Sequence, residues 1–252
     1  MHLLATTLEI TDEELHRLNR ALRARSECNR LLARAAEAAE FLDGVCRILV
    51  DEGGYRLAWV DYAEQDETRR VKPVAQAGFD EGYLASVNLS WADIERGRGP
   101  TGTCIRTRQP VVVRDVGSDP SFAPWREAAQ QHGYTASAAF PLCDGDRTLG
   151  ALMVYSASAG GFDDREVTLL KELADDVVFG LSALRTRATL AKRLRYERAV
   201  VAVSNLLREA SEIVTVMDEV LEVLLGASQM DRSYLFACRQ DGEGRWHARP
   251  QN

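Results

Sequence analysis

The chain has 252 residues, 46% hydrophobic and 27% charged, a balance typical of a soluble globular protein with one or two domains. Its formal net charge of −7 argues against a nucleic-acid partner, because binding to a phosphate backbone needs a basic face. No apolar run approaches the roughly 18 residues that a membrane-spanning helix needs.

The first long segment, residues 11–50, is predicted to form one continuous helix. Thr11 and the acidic residues after it form an N-terminal capping sequence, and no Gly or Pro follows until Gly44. Leucines recur at intervals of seven, and an asparagine continues the series, as in the seam of a coiled coil. We therefore predict that residues 1–32 form a linker helix that pairs with a second copy; the alternative is an amphipathic helix packed on its own domain. The predicted seam residues here are Leu15, Leu18, Leu22 and Asn29.

The middle of the chain predicts an antiparallel sheet interleaved with short helices. Gly53-Gly54 ends the first helix, and Asp144-Gly145-Asp146 is predicted to be a hairpin turn. Gly150 lies inside a strand and indicates that another backbone approaches closely. Branched and aromatic content predicts strands over residues 55–62, 71–77, 111–113, 136–142 and 149–155.

A glycine-rich stretch, Gly97-Arg98-Gly99-Pro100-Thr101-Gly102-Thr103, is predicted to open a short helix that ends before Pro110. Such a turn leaves backbone N–H groups free, which makes it a candidate anion site. The alternative is a tight connector that packs a short helix on the sheet. The stretch has neither the lysine of a P-loop nor the spacing of a dinucleotide-binding fingerprint.

A second long helix is predicted after Phe162-Asp163-Asp164, with apolar residues spaced alternately by about three and four. The predicted seam residues in it are Val177, Leu181 and Leu184.

The pattern of residues 31–49 recurs without a gap over residues 206–224, which predicts the first helix and strand of a second copy of the same module. The strand that contains Tyr234-Leu235 corresponds to the one that contains Trp59-Val60. We therefore predict a fragment of a longer protein, divided into a main domain (33–185), a linker helix (186–203) and the start of the second copy (204–252).

Five short motifs occur along the middle of the chain: Gly53-Gly54-Tyr55-Arg56-Leu57-Ala58-Trp59-Val60, Gly99-Pro100-Thr101-Gly102-Thr103, Pro120-Ser121-Phe122-Ala123-Pro124-Trp125, Pro141-Leu142 and Leu149-Gly150-Ala151-Leu152. Together with the element order, these motifs closely resemble a GAF domain, of the type found in bacterial sensor histidine kinases and cyclic-di-nucleotide signalling proteins. The resemblance covers about residues 30–185. It implies an α+β fold, with an antiparallel sheet flanked by helices and long signalling helices that enter and leave it.

The resemblance implies a sensory or regulatory module and not an enzyme. It implies a homodimer that passes a signal to a downstream output domain, either a histidine kinase or a diguanylate cyclase. A small molecule of unknown identity would bind between the sheet and its short helices, or the module would be a ligand-free dimerisation spacer. The predicted pocket residues are Trp59, Tyr83, Trp91, Thr101, Thr103, Trp125, Arg126, Phe140 and Tyr155.

The sequence does not identify a cofactor, but it disfavours a bilin and a haem. A covalent bilin is disfavoured because no cysteine adjoins His132, and a lone histidine beside a glycine is more typical of a helix end than of a haem ligand. Binding of a cyclic nucleotide, held by the amides of residues 99–103 and by Arg126, is an alternative that the sequence leaves open.

The five cysteines are scattered, with no histidine at metal-binding spacing. This predicts reduced thiols in a cytoplasmic protein without a bound metal. They do not match the cysteine set of the free-methionine sulfoxide reductases, which share the GAF fold. Cys104 is predicted to be a small buried residue, the alternative being a redox thiol.

Overall fold

The computed structural model describes residues 12–80, 82–158, 161–210, 216–230, 236–240 and 246–250. The chain divides into two compact units, Met1–Leu184 and Arg185–Asn252. Within the described residues, no helix is both long enough and apolar enough to span a bilayer.

The first unit is built around a five-stranded sheet in the order β2-β1-β5-β4-β3, in which all neighbouring strands are antiparallel. This confirms the predicted α+β class with an antiparallel sheet. The elements are α1 (Asp12–Arg34), α2 (Ala38–Asp51), β1 (Leu57–Ala63), β2 (Val71–Gly78), α3 (Tyr83–Ser86), a 3-10 helix (Glu95–Gly97), α4 (Pro100–Thr107), β3 (Val111–Val113), a second 3-10 helix (Pro120–Trp125), α5 (Arg126–Gln131), β4 (Ala136–Asp144), β5 (Arg147–Ser156) and α6 (Asp164–Glu209). Helix α6 belongs to this unit as far as Leu184.

The two faces of the sheet carry two separate hydrophobic cores, because successive side chains of a strand point to opposite faces. In β1, Ala58 and Val60 pack in the core that contains residues of α1, α2 and α6. Leu57 and Trp59 pack in the other core, which contains residues of the short helices and loops. The sheet therefore separates a layer of long helices from a layer of short ones.

The first helix is broken, so the prediction of one helix over residues 11–50 is wrong. Helix α1 ends at Arg34 and α2 begins at Ala38. The backbone N–H of Ala36 donates to Glu40 Oε2 at 3.2 Å, which satisfies one donor at the break. The break lets α2 pack against α1, where Leu31 contacts Gly44, so both helices contribute to one core. Tertiary packing overrides a helical pattern that contains no Gly or Pro at this point.

The predicted seam residues of α6 pack inside their own unit. Val177, Leu181 and Leu184 are at most 4% exposed and belong to the core between the long helices and the sheet. A second copy cannot reach them while this core is intact, because closely packed cores leave no room for another helix.

The predicted seam residues of α1 lie nearer the surface. Leu15 and Leu22 are each 45% exposed, Leu18 is half-buried and Asn29 is exposed. The opposite face of α1 packs within the unit: Ala24 and Cys28 are buried. The heptad spacing of this helix therefore does not by itself distinguish an internal contact from a coiled coil.

Arg25 links α1 to α6. Its Nε donates to Asp176 at 2.7 Å, and its Nη1 pairs with Glu172. These contacts hold the two long helices side by side on one face of the sheet.

The second unit contains α7 (Met217–Ser228) and an antiparallel pair, β6 (Phe236–Gln240) and β7 (Trp246–Pro250). Val220 and Ala227 are buried on α7. The strand segment predicted at Tyr234-Leu235 lies outside the described residues.

Candidate ligand-binding site

A narrow hollow lies between the sheet and the segments that cover its second face. The centre of a water molecule can occupy only about 10 Å³ of it. It is formed by side chains of β1 and β5, by residues of the segment that precedes α4, and by the N-terminal residues of α4. We call this hollow the slot; it is nearly filled by the side chains that line it.

Five aromatic side chains form most of the walls. Trp59 stacks on Tyr155 with ring centroids 5.0 Å apart, and Tyr83 meets Tyr155 edge-on at 5.9 Å. Phe122 and Trp125 form a second edge-on pair at 6.0 Å. Such pairs contribute about 0.5–1.5 kcal/mol each beyond their buried area, so the walls are well ordered.

The glycine-rich stretch is explained by close packing. A Cβ on Gly99 would lie 2.3 Å from the ring of Trp125, and one on Gly102 would lie 2.2 Å from the carbonyl oxygen of Gly97. Pro100 occupies the first helical position, where its missing N–H costs nothing. The stretch is thus a tight connector that also brings the N terminus of α4 to the slot.

Arg106 fixes the loop before α4. Its Nη1 donates to the carbonyl oxygens of Trp91, Ala92 and Gly97 at 3.0, 3.1 and 2.5 Å. The indole N–H of Trp125 donates to the carbonyl oxygen of Val87 at 2.9 Å. The loop that covers the slot is therefore held at both ends by side chains from the short helices.

Five of the nine predicted pocket residues line the slot together. Thr101 is buried, and its hydroxyl donates to Met153 Sδ at 3.3 Å. The five are Trp59, Tyr83, Thr101, Trp125 and Tyr155.

Phe140 lies on the opposite face of the sheet, in the core with the long helices. Its neighbour Ala139 faces the slot side. The alternation of β4 therefore corrects the prediction for Phe140, because a shift of one position along a strand moves a side chain to the other face.

The remaining three predicted residues serve the surrounding loops. Arg126 donates to the carbonyl oxygens of Val116 and Asp119 at 3.2 and 2.8 Å. The Trp91 indole donates to the carbonyl oxygen of Glu64 at 2.8 Å. The hydroxyl of the half-buried Thr103 donates to the carbonyl oxygen of Arg98 at 3.0 Å. None of these three lines the slot, because their polar groups are used to position backbone.

Sequence reasoning did not place Arg96 and Phe122 at the slot, although both line it. Phe122 belongs to the proline-rich motif, where its aromatic character was the available signal. Arg96 lies in an exposed 3-10 turn, and nothing in its sequence context distinguishes it from the other arginines nearby.

A buried carboxyl group lies behind the slot. Asp61 is fully buried next to a β-bulge in β1, and it accepts hydrogen bonds from the Trp59 indole at 3.3 Å and the Ala151 N–H at 2.9 Å. Burial raises the pKa of Asp61 to about 7, although both hydrogen bonds act to lower it. The side chain that supports Trp59 therefore titrates near neutral pH.

Three cysteines are held as thiols by burial. Desolvation raises the pKa of Cys28 and of Cys46 to about 12, and it raises the pKa of Cys104 as well. Because the thiolate is the reactive form, these three side chains are unreactive at neutral pH in the folded protein. Cys104 is therefore a small buried residue, as predicted.

A sheet with long helices on one face, and short helices over a slot on the other, defines a layered α+β domain. The chain belongs to the GAF domain family, whose model matches residues 35–182. No curated protein sequence matches the chain.

Solved structures share this fold at low sequence identity. Free methionine-R-sulfoxide reductase from Neisseria meningitidis, in complex with its substrate, has a TM-score of 0.55 and 18% identity over 74% of this chain and 99% of its own. The GAF domain of a phosphoenolpyruvate-protein phosphotransferase from Coxiella burnetii has a TM-score of 0.55 and 15% identity over 69% and 98%. The fRMsr of Staphylococcus aureus, in complex with substrate, has a TM-score of 0.52 and 18% identity over 65% and 95%.

These neighbours correct one prediction. The inference that this fold implies a module and not an enzyme is wrong, because the reductases with the same fold are enzymes. GAF domains are commonly sensory or regulatory in signalling proteins, but the fold also supports catalysis.

Proposed function

We propose that this GAF domain is the sensory module of a multidomain signalling protein and binds a small molecule in the aromatic slot. The observation that carries the proposal is the slot itself, in which aromatic walls meet the N terminus of α4. Apolar walls with a few oriented polar groups are typical of small-ligand sites. The motifs of the sequence favour a parent protein of the sensor histidine kinase or cyclic-di-nucleotide signalling type.

The signal would pass from the slot to α6. Tyr155, a wall residue, lies near the end of β5, the strand that leads into α6. The hydroxyl of Tyr55, two residues before β1, donates to Glu166 Oε1 in the first turn of α6 at 2.7 Å. A ligand that favours one arrangement of β1 and β5 would then bias the position of α6, provided that it binds one arrangement more tightly than the other.

A thermal-denaturation panel of cyclic nucleotides, nucleobases and small organic acids tests ligand binding. A ligand at a hundredfold excess over its Kd should raise the midpoint by at least about 5 °C. Leu89→Trp, which places an indole in the slot, should remove the effect. Val112→Trp, at a half-buried position in the other core, is the matched control and should keep it.

The alternative function is a ligand-free spacer, and the narrowness of the slot favours it. A slot that admits about one water centre is nearly filled by its own side chains. No midpoint shift across the panel, in either the wild type or the Val112→Trp variant, would support the spacer and contradict the ligand proposal.

We also propose a homodimer that connects to an output domain, a histidine kinase or a diguanylate cyclase. Within the first unit, Phe179 on α6 is 71% exposed, an unusual exposure for a phenylalanine. Leu15 and Leu22 on α1 add exposed apolar surface. These side chains, rather than the buried residues of α6, would form the contact.

Phe179→Glu should therefore convert a dimer into a monomer, because it places a charge in an apolar contact. Light scattering coupled to size exclusion measures the mass directly. Arg165→Glu, an exposed change at the start of the same helix, should leave the dimer intact. A wild-type protein that is monomeric at high micromolar concentration would contradict the dimer.

The second unit supports the proposal of a second module. Its order of one helix and two antiparallel strands is the same as that of α2, β1 and β2 in the first unit. This order agrees with the internal sequence repeat, so we propose residues 204–252 as the beginning of another GAF domain in a cytoplasmic parent protein.

A further inference from the structure

A second cleft, separate from the slot, lies where α1, the segment before β1, the end of β5 and the start of α6 meet. The centre of a water molecule can occupy about 330 Å³ of it, and no residue lines both the cleft and the slot. This volume falls in the range of small-molecule sites. We call it the arginine cleft, because its charged lining residues are Arg17, Arg20, Arg56 and Glu166.

Two of these arginines are held at the cleft without using their N–H donors. The Arg20 Cζ lies 3.6 Å from the position that a Cβ on Gly54 would take, so this guanidinium lies against the backbone before β1. The backbone N–H of Arg56 donates to the Tyr155 carbonyl oxygen at 2.8 Å, and its guanidinium lies over the Phe79 ring, 4.3 Å from the centroid. A cation–π contact consumes no N–H donor. The side chains of Arg20 and Arg56 make no hydrogen bond or ion pair with a residue that the structure describes.

The cleft also has one hydroxyl donor and one unsatisfied acceptor. Ser156 Oγ accepts from the Ser158 N–H at 3.1 Å, which leaves the hydroxyl proton of Ser156 to be donated. Glu166 is only 3% exposed, and its Oε1 accepts from the Tyr55 hydroxyl at 2.7 Å. Its Oε2 is buried and has no hydrogen-bond partner among the described residues. A buried acceptor without a donor is costly, so the site is incomplete without a further group.

The charge of the lining selects the anionic group of a ligand. Three guanidiniums and one carboxylate give the lining a net charge of +2. A phosphate monoester has a charge of about −1.5 to −2 at pH 7, and its three terminal oxygens accept from several donors at once. A carboxylate has half that charge and two oxygens in one plane. The phosphate dianion has no proton to give to Glu166 Oε2, so the alcohol part of the ester must supply that donor.

We propose that the arginine cleft binds a small phosphate monoester that also carries a hydroxyl group. The phosphate accepts from Arg20, Arg56 and the Ser156 hydroxyl, and the hydroxyl group of the ligand donates to Glu166. Arg20 belongs to α1, Arg56 precedes β1 and Glu166 belongs to α6, so the bound ligand joins elements that are far apart in sequence. The arginine cleft is a second site, and its occupation does not depend on a ligand in the slot.

Isothermal titration of the full chain with glycerol 3-phosphate tests the proposal, with propyl phosphate as the analogue that lacks both hydroxyl groups. Glycerol 3-phosphate should bind the wild type at least about tenfold more tightly than propyl phosphate does, because only it supplies a donor to Glu166. Arg20→Gln should weaken both phosphates at least about tenfold. Arg23→Gln, an exposed change one turn further along α1 and outside the cleft, is the matched control and should bind both as the wild type does.

Glu166→Gln separates recognition of the hydroxyl group from folding. Glutamine keeps an oxygen that accepts from the Tyr55 hydroxyl, but it replaces the second acceptor by an amide N–H donor. The preference for glycerol 3-phosphate over propyl phosphate should therefore fall below about threefold. A purely structural role of Glu166 would leave that preference unchanged. If this variant does not fold, the titration of Arg20→Gln still decides the proposal.

Three results would overturn the proposal: glycerol 3-phosphate does not bind the wild type, it binds the wild type and Arg20→Gln equally, or it binds no more tightly than propyl phosphate. Leu89→Trp changes the slot and not the arginine cleft, so it should bind glycerol 3-phosphate as the wild type does. Loss of binding in Leu89→Trp would place the ligand in the slot and contradict a site at the arginine cleft.

Discussion

Asp61→Asn is expected to remove the contribution of this carboxyl group to the pH dependence of stability, a contribution that decreases between about pH 4 and pH 7. Asp61 has a pKa of about 7 in the folded protein against an ordinary value of 3.8, because its carboxyl group is fully buried. The folded state therefore binds this proton more tightly than the unfolded state does. The stabilising contribution of this group is fully present below the ordinary pKa and is lost as the pH rises towards 7, by up to about 4 kcal/mol.

The measurement is the free energy of unfolding by urea at several pH values across this range. Asparagine cannot ionise, so position 61 should add almost no pH dependence to the free energy of unfolding of the variant. It also places an amide N–H against the Trp59 or the Ala151 donor, which costs about 1–3 kcal/mol at every pH. Asp144→Asn, an exposed change in β4, should retain the wild-type slope. Equal slopes for the wild type and Asp61→Asn would show that Asp61 does not titrate in this window.

Gly150→Ala is expected to destabilise the first unit by at least about 3 kcal/mol, more than a typical overpacking substitution. A Cβ at this position would lie 1.9 Å from the carbonyl oxygen of Asp61 and 2.9 Å from the Cα of Tyr62. Both atoms belong to the backbone of β1, which pairs with β5 along six residues and cannot move away alone. The methyl group would therefore separate the two central strands.

Urea denaturation measures this loss, and Gly226→Ala is the matched control. Gly226 lies inside α7, and an added Cβ there meets no atom within 4 Å. Alanine in a helix interior should be neutral or stabilising by up to about 1 kcal/mol. A Gly150→Ala variant as stable as the wild type would mean that β1 and β5 can separate at little cost.

The slot shows how far a pattern of residue types can predict a site. Trp59 and Tyr155 were expected there because the resemblance to a GAF domain implies a pocket between the sheet and its short helices, and both line it. Phe140 was expected for the same reason, but β4 presents it to the other core. Aromatic content alone does not tell which face of a buried strand a residue occupies, because both faces of this sheet are covered.

Arg96 and Arg126 show that residue type alone also does not predict which charged side chain lines the slot. Arg126 was the arginine expected at the pocket, but it holds the backbone of the loop before it. Arg96 lines the slot instead, because the 3-10 turn at Glu95–Gly97 brings it there. Which of several arginines remains available depends on the hydrogen-bond acceptors around each one, and those are assembled only by the fold.

The long helices α1 and α6 separate what the sequence determines from what only the tertiary structure decides. The amino-acid sequence by itself determined that α1 and α6 are helices with apolar stripes, because their spacing follows the helical repeat. It also determined the antiparallel sheet, through short branched strands joined by glycine turns. Only the tertiary structure decided that Val177, Leu181 and Leu184 are covered by the unit's own core, while Phe179 is left in solvent. The physical reason is that an apolar stripe is buried equally well by an internal or an external partner, so local spacing leaves the choice open until the layers of the fold are packed.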